Sequence, residues 1–263
     1  MYTQKITRWK HRTDVMIYHY PIFTKEDQKE NEPEVEEKCH RRKYEEMSEA
    51  EKLESDRRRK GYYQKKVQYL QDMCQHNDLD TFITLTFKEE IKEYTDAKRY
   101  WSLGLKRLKY ELKKPIKYVA VHELQKKRGN VFHFHMMTDI GFFSYERLRE
   151  IWKYGGVYIE KIDLKRDDGR KQIGYIFKYI MKDVLDEEIV KRRSSRRKIY
   201  SSRNLAKPKI SLQLSDESAE DVIFENMENV IETDTYDMKN FQGIKINEVD
   251  LVKIKAVLAD KTT

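Results

Sequence analysis

The sequence predicts an α+β fold, an antiparallel sheet in a split βαβ arrangement with helices on one face and charged extensions at both ends. Two observations carry this. Period-two β-rich runs and helical spacings alternate through the central third in the order β-α-β-β-α-β-α. The composition supplies the rest. At 263 residues the chain can bury a core without disulfide staples. Only 38% of it is hydrophobic and 38% is charged, so part of the chain is expected outside that core.

Taken in order, Asp14–Tyr20 reads as a short strand, and residues 24–56, dense in Lys and Glu, as a flexible or helical linker. Asp56–Gln75 reads as a basic helix interrupted only by Gly61. TFITLTF (Thr81–Phe87) alternates as a half-buried strand does. Tyr100, Leu103, Leu105, Leu108 and Leu112 set a helix over Glu93–Lys114. Strands follow at Ile116–Leu124 and Val131–Thr138, around a turn containing Gly129-Asn130. Ser144 is an N-cap for a helix through Tyr154, which Gly155-Gly156 should stop. Val157–Ile162 is a strand, and Asp167/Asp168 open a helix to about Asp186. Leu251–Ala259 reads as a last short helix.

Several classes drop out. No run approaches the ~20 apolar residues of a membrane span, and the N-terminal stretch lacks the apolar core of a signal peptide. Cys39 and Cys74 make neither a disulfide framework nor a zinc pattern, so a reducing cytosol is the simplest compartment. Neither a P-loop nor G-x-G-x-x-G occurs, which argues against a built-in ATP motor or dinucleotide site. The net charge is +8, unevenly spread. Residues 215–250 hold eleven acids against Lys239 and Lys245, a balance of −9 that leaves +17 elsewhere. Lys191–Lys209 alone carries nine bases and no acid. A basic body with an acidic tail suits a polyanionic partner, and a merely solvated surface is the other reading.

His133-Phe134-His135 is the sharpest chemical signal. Residues two apart on a strand share a face, so the imidazoles project together and Phe134 points away. If Lys126–Asn130 form a five-residue hairpin loop, Gln125 pairs with Val131, Glu123 lies opposite His133, and Val121 opposite His135. Two imidazoles and a carboxylate then converge, a set suited to Mn²⁺ or Mg²⁺ with open positions. Gln125 has the parity of a supporting or substitute ligand, and His122 faces away. Chance histidines in a half-buried sheet are the alternative. An iron oxygenase also uses two histidines and a carboxylate, but that chemistry explains neither the basic body nor the motif that follows.

Gly174–Asp183 contains Y-x-x-K twice. On a helix Tyr175, Lys178, Tyr179 and Lys182 fall on one stripe, and Ile173, Ile176, Phe177, Ile180 and Val184 on the opposite one. A phenol is a poor nucleophile until its oxyanion is stabilised, which neighbouring ammonium groups can do. A plain surface stripe of Tyr and Lys is the other reading.

TFITLTF, HELQKKRGNVFHFHMM and GYIFKYIMKD, in that order, resemble the three motifs of HUH endonucleases. The resemblance is strongest to rolling-circle replication initiators of bacterial phages and plasmids, including those with paired tyrosines, and covers roughly residues 57–209. It implies a ferredoxin-like or RRM-like antiparallel sheet (the HUH endonuclease fold), a divalent metal, and cleavage of single-stranded DNA through a 5′-phosphotyrosine. His133 and His135 match the histidine pair, Glu123 the third ligand, Tyr175 and Tyr179 the nucleophiles, and Lys178 the lysine between them. Arg57, Arg58, Arg59, Lys60, Lys182, Arg192, Arg193, Arg196 and Arg197 are expected to meet DNA phosphates. The implied partners are single-stranded origin DNA, hairpins included, with a host helicase and DNA polymerase in the cytoplasm of a bacterial host cell. The implied division is a charged extension (1–56), an endonuclease domain with basic flanks (57–209) and an acidic segment (210–263). A relaxase or tyrosine-dependent transposase would use the same site, and an RRM-like module would bind nucleic acid without catalysis.

Overall fold

A computed structural model describes residues 1–24, 27, 44–125, 128–141, 143–164, 173, 174, 177, 199–240 and 243–256. In chain order the elements are β1 (Tyr2–Arg8), β2 (Arg12–Ile22), α1 (Glu49–His76), β3 (Thr81–Thr86), α2 (Tyr94–Leu112), β4 (Tyr118–Gln125) and β5 (Val131–Thr138). They continue with α3 (Tyr145–Trp152), β6 (Val157–Lys161), β7 (Ile199–Ser201), β8 (Lys209–Gln213), α4 (Ala219–Glu225), β9 (Val230–Lys239) and β10 (Lys245–Lys255). The fold is α+β, with two antiparallel five-stranded sheets. The chain divides into two units, Arg42–Ala206 and the two ends together, Met1–Arg41 with Lys207–Thr263.

The central unit has the strand order β6-β3-β5-β4-β7. Its first four strands are the fourth, first, third and second of the split βαβ, the ferredoxin-like order, and β7 is added beside β4. One sheet face buries Ile83, Leu85, Phe134 and Met136 against α2 and α3 through Trp101, Leu108 and Trp152. Trp101 stacks on Phe134 with ring centroids 4.7 Å apart. Gly104 of α2 is required by this packing, since a Cβ there would sit 2.7 Å from the Trp152 ring. The other face buries Val119, Val121 and Met137 against Leu70 and Cys74 of α1 and the helical residues Ile173 and Phe177. Burial pushes the Cys74 thiol well above the usual cysteine range, as expected of an inert core thiol.

Local chemistry sets the helix ends. Ser48 caps α1 in a capping box, its Oγ accepting from Glu51 N at 3.3 Å and its own N donating to Glu51 Oε2 at 2.8 Å. At the other end Asn77 Nδ2 donates to Met73 O and Ala206 O, both at 3.0 Å, and its Oδ1 accepts from Ala206 N. α1 therefore begins before the basic stretch that suggested it and runs through Gly61. Ser144 caps α3 as expected, accepting from Arg147 N. The helix stops at Trp152, however, because Lys153 turns left-handed at φ 65°. Gly155 and Gly156 serve instead as the point where the chain presses against the end of β3.

The second sheet has the order β8-β1-β2-β10-β9, so strands from both ends of the chain build it. Val15, Ile17 and Val252 pack under Val222 of α4. The expected strand at Asp14–Tyr20 is longer, Arg12–Ile22. The short helix expected at Leu251–Ala259 is corrected. Residues through Lys255 are strand β10, paired with β2 from Val249↔Tyr18 to Lys255↔Arg12. Val249, Leu251 and Lys253 alternate with Asp250, Val252 and Ile254, a period-two pattern that β pairing satisfies better than a helix. The acidic stretch is likewise ordered, as α4, β9 and β10.

Candidate functional site

The site grows from the β4–β5 hairpin. Gly129 and Asn130 adopt φ of 70° and 66°, and Asn130 N donates to Gln125 O at 3.0 Å. That closure fixes the register Gln125↔Val131, Glu123↔His133 and Val121↔His135. On β3, Thr86 lies opposite His133 and Thr84 opposite His135. Glu123, His133 and His135 thus share the face that also carries Phe82, Thr84 and Thr86, and all three are buried. His122 points to the opposite face, among the rings of Tyr94, Phe132, Phe134 and Tyr200.

The hydrogen bonds are diagonal rather than straight across. His133 Nε2 donates to Gln125 Oε1 at 2.7 Å. Glu123 Oε2 accepts from His135 Nε2 at 3.3 Å, since a carboxylate can only accept. His135 Nδ1 then takes the Thr84 hydroxyl at 3.1 Å. The Phe82 ring lies parallel to His135 at 6.0 Å. Burial, then the charges of His135 and Arg128, hold His133 below the usual histidine range, against the pull of Glu123. Its imidazole is therefore neutral, the form that offers a lone pair to a cation.

Among the described residues no three His, Cys, Asp or Glu side chains stand in a ready-made metal cage. The donor set nevertheless fits a divalent cation in its chemistry, with two neutral-capable imidazoles, a carboxylate and an amide oxygen on one buried face. Coordination through either Nε2 would shift that ring's proton to Nδ1. For His135 the Thr84 hydroxyl can accept from Nδ1–H as readily as it donates to Nδ1, so the Thr84 hydrogen bond survives the change.

The remaining expected residues divide into two groups. Arg57, Arg58, Arg59 and Lys60 lie on α1; Arg58 pairs with Glu54 at 3.4 Å and Arg59 with Asp56 at 3.0 Å, while Arg57 and Lys60 are exposed. Tyr175, Lys178, Tyr179, Lys182, Arg192, Arg193, Arg196 and Arg197 lie outside the described residues. Their neighbours Ile173 and Phe177 are fully buried on the histidine face.

Three side chains at the site carry no signal in the sequence. Thr84 and Phe82 reach it only because β3 pairs with β5, a long-range register. Arg128 sits in the hairpin loop, and its Nη1 donates to Phe87 O at 3.1 Å, one residue beyond the Thr86 that pairs with His133. No helix among the described residues is long and apolar enough to cross a membrane.

No curated protein and no solved structure matches the chain. Residues 80–184, which hold the split βαβ core and its histidine face, match the family model of the replication-associated protein ORF2, and that match assigns this part of the chain a role in replication.

Proposed function

We propose that the chain is a rolling-circle replication initiator that nicks and rejoins single-stranded origin DNA. The observation that carries the reading is the in-register gathering of Glu123, His133 and His135 on one buried sheet face, inside the stretch that matches a replication-associated family. These three residues, with Gln125, would hold Mg²⁺ or Mn²⁺, which when bound polarises the scissile phosphate.

Tyr175 and Tyr179 are the proposed nucleophiles. Burial of Ile173 and Phe177 supports this, because both belong to the apolar stripe opposite the tyrosines in the helical reading. A tyrosine oxygen attacks phosphorus, forming a Tyr–O–P bond as the P–O3′ bond breaks. The leaving 3′-hydroxyl takes up a proton and primes synthesis. Lys178 and Lys182 favour the phenolate by their charge. Attack by a 3′-hydroxyl on the phosphotyrosine restores the phosphodiester and frees the tyrosine, so rejoining needs no ATP. Two tyrosines allow a second cleavage while the first is occupied. Unwinding and synthesis fall to a host helicase and DNA polymerase, since the chain carries no P-loop.

The test is a denaturing gel of the full chain with labelled single-stranded candidate origin DNA and Mn²⁺. Wild type should give a covalent adduct, lost on chelation. The Tyr175→Phe/Tyr179→Phe double variant should bind the strand and give none, and one single variant should retain the first cleavage. An adduct from the double variant refutes tyrosine chemistry on this helix. Binding by wild type with no adduct on origin DNA would favour a non-catalytic module.

A further inference from the structure

Beside the histidines, the same sheet face carries an aromatic row that the nicking chemistry does not use. β6 is the edge strand next to β3, with no outer neighbour among the described residues. Tyr158 pairs with Thr84, and Thr84 pairs with His135, so the three stand in line across adjacent strands. At about 4.8 Å per strand, Tyr158 lies about 10 Å from the histidine strand. The Phe82 ring bridges the gap, parallel to His135 at 6.0 Å and edge-on to Tyr158 at 6.1 Å.

Tyr158 is 51% exposed. Its hydroxyl donates to Glu160 Oε2 at 2.9 Å, which ties down the ring. That hydrogen bond raises the phenol above the usual tyrosine range, so Tyr158 is unsuited to act as a nucleophile. What it presents to solvent is a held ring beside the site. Aromatic rings in such positions stack on bases irrespective of sequence.

We propose that Tyr158, backed by Phe82, is a stacking platform for a nucleobase of single-stranded DNA, close to the phosphate handled at the histidine face. The inference rests on the DNA-processing reading above and adds a base-binding subsite to it. Stacking contributes through the ring, so the hydroxyl is dispensable and binding of the phosphates is untouched.

The experiment is fluorescence anisotropy of the full chain with labelled oligothymidylate and with the same sugar–phosphate strand lacking bases. Tyr158→Ala should bind oligothymidylate about 5- to 150-fold more weakly. Its affinity for the abasic strand and its salt dependence should stay as in wild type. Tyr158→Phe should match wild type on both strands. Equal oligothymidylate binding by Tyr158→Ala overturns the platform, and so does an equal loss on the abasic strand, which would make Tyr158 structural. The adduct assay runs in parallel. A base-dependent Tyr158 effect without any adduct keeps the platform and removes the nickase. An adduct with no Tyr158 effect does the reverse, and a wild type that binds neither strand overturns both.

Discussion

The same substitution at two glycines should move stability in opposite directions. A Cβ on Gly155 would lie 2.3 Å from Thr86 O, 2.6 Å from Lys88 N and 2.8 Å from Phe87 C, all backbone atoms. Ordinary van der Waals spacing begins near 3.4 Å, so Gly155→Ala must displace the end of β3 by about 1 Å. Overpacking of that kind costs about 1–3 kcal/mol. Thr86 O also accepts the indole N–H of Trp152 at 2.8 Å, and Lys88 N donates to Tyr154 O at 2.8 Å. Weakening one such bond adds about 1–2 kcal/mol. The total, about 2–5 kcal/mol, corresponds to a Tm lower by about 5–15 °C for a unit of this size. Thr86 is the cross-strand neighbour of His133, so adduct yield should fall as well. Gly61, inside α1, has nothing within 4 Å of a Cβ. Gly61→Ala should therefore stabilise by about 0.5–1 kcal/mol through helix propensity alone. Differential scanning calorimetry of the full chain reads both. A Gly155→Ala transition within about 2 °C of wild type would refute the steric argument, as would destabilisation by Gly61→Ala.

Two further outcomes follow from the site and from α1. His133 is held below its ordinary value of 6.5, so below that pH the unfolded chain binds the proton that the folded chain refuses. Stability should fall as the pH drops below 6.5, and His133→Gln should lose part of that slope in thermal melts at stepped pH; an unchanged slope would refute the assignment. Neutralising the exposed Arg57 and Lys60 together should flatten the salt dependence of single-strand binding by about 0.7 for each phosphate that α1 no longer neutralises, and an unaltered slope would mean that α1 does not touch DNA.

The split βαβ core was legible because each of its elements is written locally. Alternation in TFITLTF, the Leu spacing of α2 and the Ser144 cap each follow from one stretch of sequence. The hairpin register was legible too, since a five-residue loop fixes which residues oppose each other, and Glu123↔His133 is such a pair. The actual bonding was less so. Glu123 turns to His135 and His133 to Gln125, a choice made by side-chain reach and by Thr84 on a strand some 50 residues away. The second sheet was not legible. β10 carries alternation mixed with lysines and acids, and its partner β2 is 231 residues distant at the His19–Asp250 ion pair. Charge made that stretch resemble a solvated tail, whereas pairing with β2 buries Val249 and Val252.

That separation sets a timetable for synthesis. β2 pairs with β1 at once, yet its other edge must wait until β10 leaves the ribosome. At ~5–20 residues per second, 231 residues take roughly 10–50 s. During this interval the nascent β1–β2 hairpin shows an unpaired edge, a hazard for pairing with another chain. The unit Arg42–Ala206, by contrast, is continuous in sequence and has all its strands before β8 is made. The sheet that bears the histidines can therefore form first, while the sheet that joins the two ends of the chain closes last.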